Sequence, residues 1–231
     1  MMAARSKKMK VFVVDDHPIV RQGLAQLINH EPDLEVCGEA EDAATALHFI
    51  GRQTPDLMLV DISLKDTDGL QLIKSVRSRY KDLPILVVSL HDESLYAERA
   101  LRAGAGGYIM KQQGTDEMVT AIRKVLQRRV YLSEAMGSRI LQDIVGSTTA
   151  KPASPLERLS DRELEIFELL GEGLGTRQIA DRLHLGIKTV ESYSSHIKEK
   201  LNLRSGRELL KYAIQHSERE KLQPSEDALA V

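Results

Sequence analysis

The sequence predicts an α/β chain: a five-stranded parallel sheet doubly wound by helices, then a small all-α domain of four helices containing a helix-turn-helix. Three observations predict it. Five short apolar runs alternate with amphipathic stretches up to about residue 130, the arrangement that βαβ crossovers produce. The segment GSTTAKPASP then loses apolar periodicity and reads as a linker. From Leu159 onward every periodic stretch is helical.

Lys10–Val14 is the first predicted strand, and HPIVRQGLAQLINH the first helix, with Ile19, Val20, Leu24, Leu27 and Ile28 on one face. Leu34–Gly38 forms the second strand and EDAATALHFIGRQ its helix, with Gly51 and Pro55 as punctuation. Leu57–Val60 is apolar at every position, as a strand buried on both faces requires. A helix from about Leu70 to Arg79 leads to strand PILVVS behind Pro84. The stretch DESLYAERALRAGA gives a fourth helix stopped by Gly104, Gly107–Met110 a short fifth strand, and Thr115 the cap of a fifth helix ending near Arg128. SEAMGSRILQDIV adds a further helix. The expected boundaries are therefore 8–130 for the α/β domain, 131–155 for a helix and linker, 156–217 for the helical domain, and 218–231 for a polar, flexible tail.

The 231 residues suit two small domains, each able to bury a core. No apolar run approaches the roughly 18 residues of a membrane span, and MMAARSKKMK lacks the apolar core of a secretory signal, so a cytoplasmic, non-membrane protein is expected. A single cysteine, Cys37, excludes a disulfide framework and a cysteine metal site. The net charge of −2 hides an uneven layout. Residues 10–130 carry 15 basic against 18 acidic side chains, whereas residues 173–216 carry 8 against 4, a basic patch that permits nucleic-acid binding.

Asp15, Asp16, Asp61, Ser89 and Lys111 each follow an apolar run. In a doubly wound sheet, ligands bind beyond the carboxyl ends of the strands, where strand order reverses. Three clustered carboxylates with no nearby His or Cys are oxygen ligands for a hard cation, and Mg2+ suits a site that also holds a phosphoryl group. Asp61 would attack a phosphoryl donor in line, Asp15 and Asp16 would hold the metal, and Lys111 and Ser89 would bind the phosphoryl oxygens. His17 is expected as an exposed residue opening the first helix, and not as a ligand. His91, two residues beyond Ser89, is read as a solvated helix-start residue.

VVDDHPIVRQGL, LVDISLKDTDGL, VVSLHDES and GAGGYIMK, in this order and spacing, resemble the receiver domain of bacterial response regulators over about residues 10–130. The resemblance implies a flavodoxin-like fold with Asp61 as phosphoacceptor from a sensor histidine kinase. It also implies Mg2+ on Asp15, Asp16, Asp61 and the backbone carbonyl of Ser63, and a Ser89–Tyr108 pair that reorients on phosphorylation. Lys65 departs from the proline common in receivers after the phosphorylated residue.

In the second half, TRQIADRLH and IKTVESYSSHIKEKL are joined at LHLGI, where Gly186 would permit a helix-turn-helix turn. Leu174, Ile179, Ala180, Leu183, Leu185 and Val190 are spaced to pack the two helices. Ser160 and Glu163 form a capping box. Residues 156–216 resemble the LuxR-type DNA-binding domain, through Leu159, Arg162-Glu163-Glu165, Gly173, Ile179-Ala180, Thr189-Val190 and Lys200-Leu201. Receiver plus this module defines the NarL/FixJ-like class. On its recognition helix Glu191, Ser192 and Ser195 would face base edges, while Arg177, Lys188, Thr189, Tyr193 and Lys198 would reach phosphates. Glu191 is a departure, since a basic residue often stands there. Leu209, Leu210, Ala213 and Ile214 are core or dimer contact, core being favoured.

The expected protein is a transcription regulator that binds double-stranded DNA and dimerises when phosphorylated, with RNA polymerase a further candidate partner. It is no enzyme beyond its own aspartyl phosphorylation and dephosphorylation. The alternative is a phosphorylation-independent dimeric transcription factor using the receiver as an interaction module. A phosphatase on the same sheet is disfavoured because DDHP, not a glycine-rich phosphate loop, follows the first strand.

Overall fold

The computed structural model describes residues 8–64, 68–145 and 154–222. Lys65 therefore lies outside the described residues, as do most of the expected linker and the tail from 223. The chain divides into two compact units, residues 1–146 and 147–231.

The first unit runs β1 (Met9–Val14), α1 (Pro18–His30), β2 (Leu34–Ala40), α2 (Ala43–Arg52), β3 (Leu57–Val60), α3 (Gly69–Arg79), β4 (Ile85–Ser89), α4 (Glu93–Ala103), β5 (Gly107–Met110), α5 (Thr115–Leu126) and α6 (Glu134–Val145). All strand pairs are parallel, in the order β2-β1-β3-β4-β5. Strand order reverses beside β1, between its neighbours β2 and β3, and this opens a crevice above the carboxyl ends of β1 and β3. Every residue of β3 and β4 is buried, which is why they read as unbroken apolar runs. Each fully buried Val, Leu or Ile contributes about 1.5–3 kcal/mol, and this burial is what holds the strand ends in place.

Helix ends follow their local chemistry. Asp42, Asp68 and Asp92 each accept a backbone N–H at the start of α2, α3 and α4, and Gly104 ends α4 in the left-handed region at φ 109°. Thr115 is not a cap: Gly114 occupies the N-cap, and Thr115 is the first helical residue of α5. Ile19 also departs from expectation, because the inward face of α1 is formed by Leu24 and Ile28 while Ile19 stands 84% exposed.

The second unit opens with a 3-10 turn, Pro155–Arg158, and continues with α7 (Asp161–Gly171), α8 (Thr176–Arg182), α9 (Ile187–Lys200) and α10 (Gly206–Leu222). Leu164, Ile166, Phe167, Ile179, Ala180, Val190, Ile197, Leu209 and Ala213 form its core. Leu209 and Ala213 are thus core, while Leu210 is exposed. The capping box of Ser160 and Glu163 is present on α7. Gly186 does not make the turn: its φ of −70° is open to any residue, and it serves as N-cap of α9. The left-handed residue is His184 at φ 51°. Arg162 on α7 braces this turn by donating to the Leu183 carbonyl at 2.9 Å. Helix α10 extends to Leu222, past the boundary of 217 expected from composition.

Candidate functional site

The parallel register puts the last residues of four strands side by side, so the side chains just beyond them share one crevice. Lys111 Nζ, its side chain 7% exposed, lies 2.6 Å from Asp15 Oδ2 and 2.7 Å from Asp61 Oδ2. One ammonium therefore bridges two buried carboxylates. Asp15 is fixed further by the His17 N–H, which donates to Oδ1 at 2.8 Å, and by Arg21, which holds the Asp15 carbonyl at 2.6 Å. Asp61 Oδ1 is buried and has no hydrogen-bond partner among the described residues. Such an acceptor is costly unless an unseen group completes it.

Burial pushes the Asp61 carboxyl above the usual carboxylate range; Lys111 works against this and Asp15 adds to it. Burial also disfavours the charged form of Lys111, yet Asp61 and Asp15 outweigh it and hold the ammonium above its ordinary value. The ligand atoms of Asp15, Asp16, His17 and Asp61 all lie within 4.8 Å of one another. This donor set, mostly oxygen and with a positive charge against it, fits Mg2+ and a phosphoryl group better than a soft metal.

Ser89 and Tyr108 are both fully buried. They are linked through His91: the His91 N–H donates to Ser89 Oγ at 3.3 Å, and the Tyr108 hydroxyl donates to the His91 carbonyl at 2.8 Å. The His91 ring is hydrogen-bonded to Ser63 Oγ at 2.6 Å and stacks at a tilt on Tyr96. His91 is thus half-buried and structurally engaged, a correction to its reading as a solvated residue. His17 remains exposed at the N-cap of α1, but its Nδ1 sits 2.7 Å from Asp16 Oδ1.

Two contributors escaped the sequence reading. A Cβ on Gly69 would fall 2.1 Å from the Asp61 carbonyl oxygen, so only glycine lets α3 start this close to the acceptor strand. Tyr131 bridges to the edge strand, its carbonyl taking the Tyr108 N–H at 2.9 Å. The TDG triplet signalled the first; nothing in the local pattern marked the second.

In the second unit Arg177, Lys188, Thr189, Glu191, Ser192 and Ser195 are exposed, and Tyr193 and Lys198 half-buried. Those on α9 occupy its N-terminal and middle turns, except Lys198, which lies in its last turn. The Ser195 hydroxyl donates to the Glu191 carbonyl at 3.1 Å, so it is already engaged within the helix.

Residues 11–123 match the family described as response regulator receiver domain, and residues 157–213 that described as bacterial regulatory proteins, luxR family. The chain is 34% identical over 210 residues to the oxygen regulatory protein NreC of Staphylococcus carnosus, spanning 89% of this chain and 97% of that protein. Among solved structures it is similar to the RcsB response regulator of Salmonella typhimurium, with 25% identity, a TM-score of 0.68, and 90% and 98% of the two chains covered. A second similar structure is RcsB from Salmonella enterica serovar Typhimurium bound to promoter rprA in the presence of the phosphomimetic BeF3−, with 26% identity, a TM-score of 0.65, and coverage of 90% and 99%. No described helix is long and apolar enough to cross a membrane.

Proposed function

The chain belongs to the two-component response regulators that join a receiver domain to a LuxR-type DNA-binding domain, and from that membership we propose that phosphorylation of Asp61 controls its binding to DNA. A single observation carries the reading: Asp61 lies buried at a strand end, tied to Lys111 through one oxygen and, among the described residues, without a hydrogen-bond partner at the other. A carboxylate oxygen of Asp61 attacks phosphorus, the bond to the donor's nitrogen or oxygen breaks, and the leaving group departs with that bond's electrons. Asp15, Asp16, Asp61 and the Ser63 carbonyl would hold Mg2+, which would supply charge neutralisation at the phosphoryl oxygens. Lys111 keeps Asp61 in position and offers its N–H donors to a phosphoryl oxygen, and the Ser89 hydroxyl offers another.

The added charge draws on Ser89, and the Ser89–His91–Tyr108 chain carries the change to the start of α4. Dimerisation then presents two recognition helices to a two-fold operator. A sensor histidine kinase is the phosphoryl source, double-stranded DNA the target, RNA polymerase a further partner, and the cytoplasm the setting. Turnover of an external substrate is no part of this reading. The RcsB complex with promoter DNA and BeF3− supports it by likeness. The domain limits 8–130 and 156–217 remain our working division.

Asp61→Asn tests the reading. Labelling of the full chain by a small phosphodonor such as acetyl phosphate in Mg2+ is expected to vanish, and undiminished labelling would overturn the assignment. The phosphorylation-independent alternative predicts equal DNA affinity with and without the phosphodonor.

A further inference from the structure

We propose that α6 is a releasable latch, clamped onto the first turn of α4 and the edge of β5, which phosphorylation of Asp61 frees. The inference rests on the phosphoacceptor reading above and goes beyond it by naming the element that responds. Three contacts hold α6. Glu93, the first residue of α4, accepts the Ser133 N–H at 2.9 Å, and the Ser133 hydroxyl accepts the Met136 N–H at 3.1 Å. Ser133 therefore caps α6, which starts at Glu134. A capping box needs a Glu or Gln at the third helical position to satisfy the cap's own N–H, and α6 has Met136 there. Glu93 supplies the missing carboxylate from α4, so the start of α6 is fully bonded within the protein only while the two helix ends are together. Arg139 adds the second contact, donating through Nη1 to the Ser94 carbonyl at 3.2 Å. Tyr131 makes the third, its N–H donating to the Gly106 carbonyl at 3.1 Å and its carbonyl accepting the Tyr108 N–H at 2.9 Å.

These anchors adjoin the Ser89–His91–Tyr108 chain. The Tyr108 hydroxyl bonds to the His91 carbonyl while its N–H bonds to Tyr131, and His91 directly precedes Asp92, the N-cap of α4. A displacement at His91 therefore reaches Glu93 and Ser94 through the shortest stretch of chain. The attachment is also of a kind that can be undone. Among the described side chains of α6 only Met136 is buried; Arg139 and Ile140 are half-buried, while Leu141 is 63% and Val145 84% exposed. Elements held by a few polar bonds and little apolar burial lie at the low end of local stability, where a small bias opens them. Because α6 is the last helix of the first unit, its release frees the segment by which the chain leaves that unit.

The experiment is hydrogen exchange read by mass spectrometry on the full-length protein, with and without Mg2+ and the phosphoryl mimic BeF3−, in wild type, Arg139→Ala, Glu93→Ala and Glu93→Gln. In the wild type the amides of Glu134–Val145 are expected to exchange about tenfold faster with BeF3−, the factor that loss of one charge-assisted hydrogen bond gives in an opening equilibrium. Arg139→Ala and Glu93→Ala should show the faster rate without BeF3− and gain less than about twofold on its addition. Glu93→Gln keeps the acceptor oxygen and should exchange and respond as the wild type does. A response at residues 90–92 with α6 still protected would overturn the latch and leave the phosphoacceptor standing. So would wild-type protection of α6 in both alanine variants. No response to BeF3− at either place, together with no labelling by acetyl phosphate, would overturn the phosphoacceptor and the latch with it.

Discussion

The two units handle charge in opposite ways. In the first, Asp15, Asp61 and Lys111 are drawn out of water and packed against one another at the ends of buried strands. In the second, the side chains proposed to meet DNA, on α8 and α9, are mostly exposed, and the ion pair there, buried Glu163 with exposed Lys200 at 2.5 Å, joins α7 to α9. Chemistry at a phosphorus atom needs groups of raised electrostatic strength converging on one point, and burial supplies it. Recognition of a polyanion needs charges spread along a surface and free to exchange counterions. The same residue types therefore carry a site in one unit and a scaffold in the other, and burial with convergence tells the two apart.

The sharpest way to break the comparison is Lys111→Ala. It leaves Asp15 and Asp61 as two buried carboxylates without their shared cation, and removes the donor proposed for the phosphoryl group. Labelling by acetyl phosphate in Mg2+ is expected to slow by about 100-fold or more. A stopped assay showing less than a threefold change would mean that the buried triad is a scaffold like Glu163–Lys200. Gly69→Ala tests the same crevice through backbone alone. The new methyl group collides with the Asp61 carbonyl, so the β3–α3 connection must shift, at a cost of about 1–3 kcal/mol in urea unfolding of the first unit. A wild-type midpoint would show that the close approach is unnecessary.

Glu163 provides the counterpart in the second unit. Burial alone would raise its carboxyl, but Lys200 and the Ser160 cap outweigh it and hold the group below its ordinary value of 4.5. A carboxyl depressed in the folded state contributes stability that is present above pH about 4.5 and is lost as pH falls through the folded value. Glu163→Gln is expected to cost about 1–2 kcal/mol at neutral pH, discounted because Lys200 is partly solvated, and to flatten the acid limb of the unfolding curve. A variant whose acid limb matched wild type would place the linkage elsewhere.

Much of the first site was legible because buried parallel strands leave a strong signature. An unbroken apolar run names the strand, and the residue after it names the strand end, so Asp15, Asp61, Ser89 and Lys111 could be gathered before any geometry was known. The part that stayed hidden depends on contacts across sequence distance. His91 links Ser89 to Tyr108 through its backbone, and backbone groups carry no sequence signal. Tyr131 completes the sheet edge from beyond the last strand. The helix-turn-helix was legible as a pattern while its turn was misassigned, since glycine attracts the expectation of a positive φ that His184 in fact adopts.

The smallest expected effect concerns Glu191, where the contrast between buried and spread charge is least settled by position. It is exposed in the first half of α9, on the same helix as Lys188 and Lys198. A carboxylate there opposes the approach of phosphates but can accept from cytosine N4. Glu191→Gln removes the repulsion while keeping the shape. Affinity for non-specific duplex DNA is expected to rise by about twofold to fivefold, and preference for the operator over that duplex to fall, as measured by anisotropy across a salt series. Lys188→Ala should instead weaken all sequences alike and reduce the salt slope by about one. If Glu191→Gln leaves both affinities and their ratio unchanged, the side chain faces solvent even in the complex, and specificity lies with Ser192 and its neighbours.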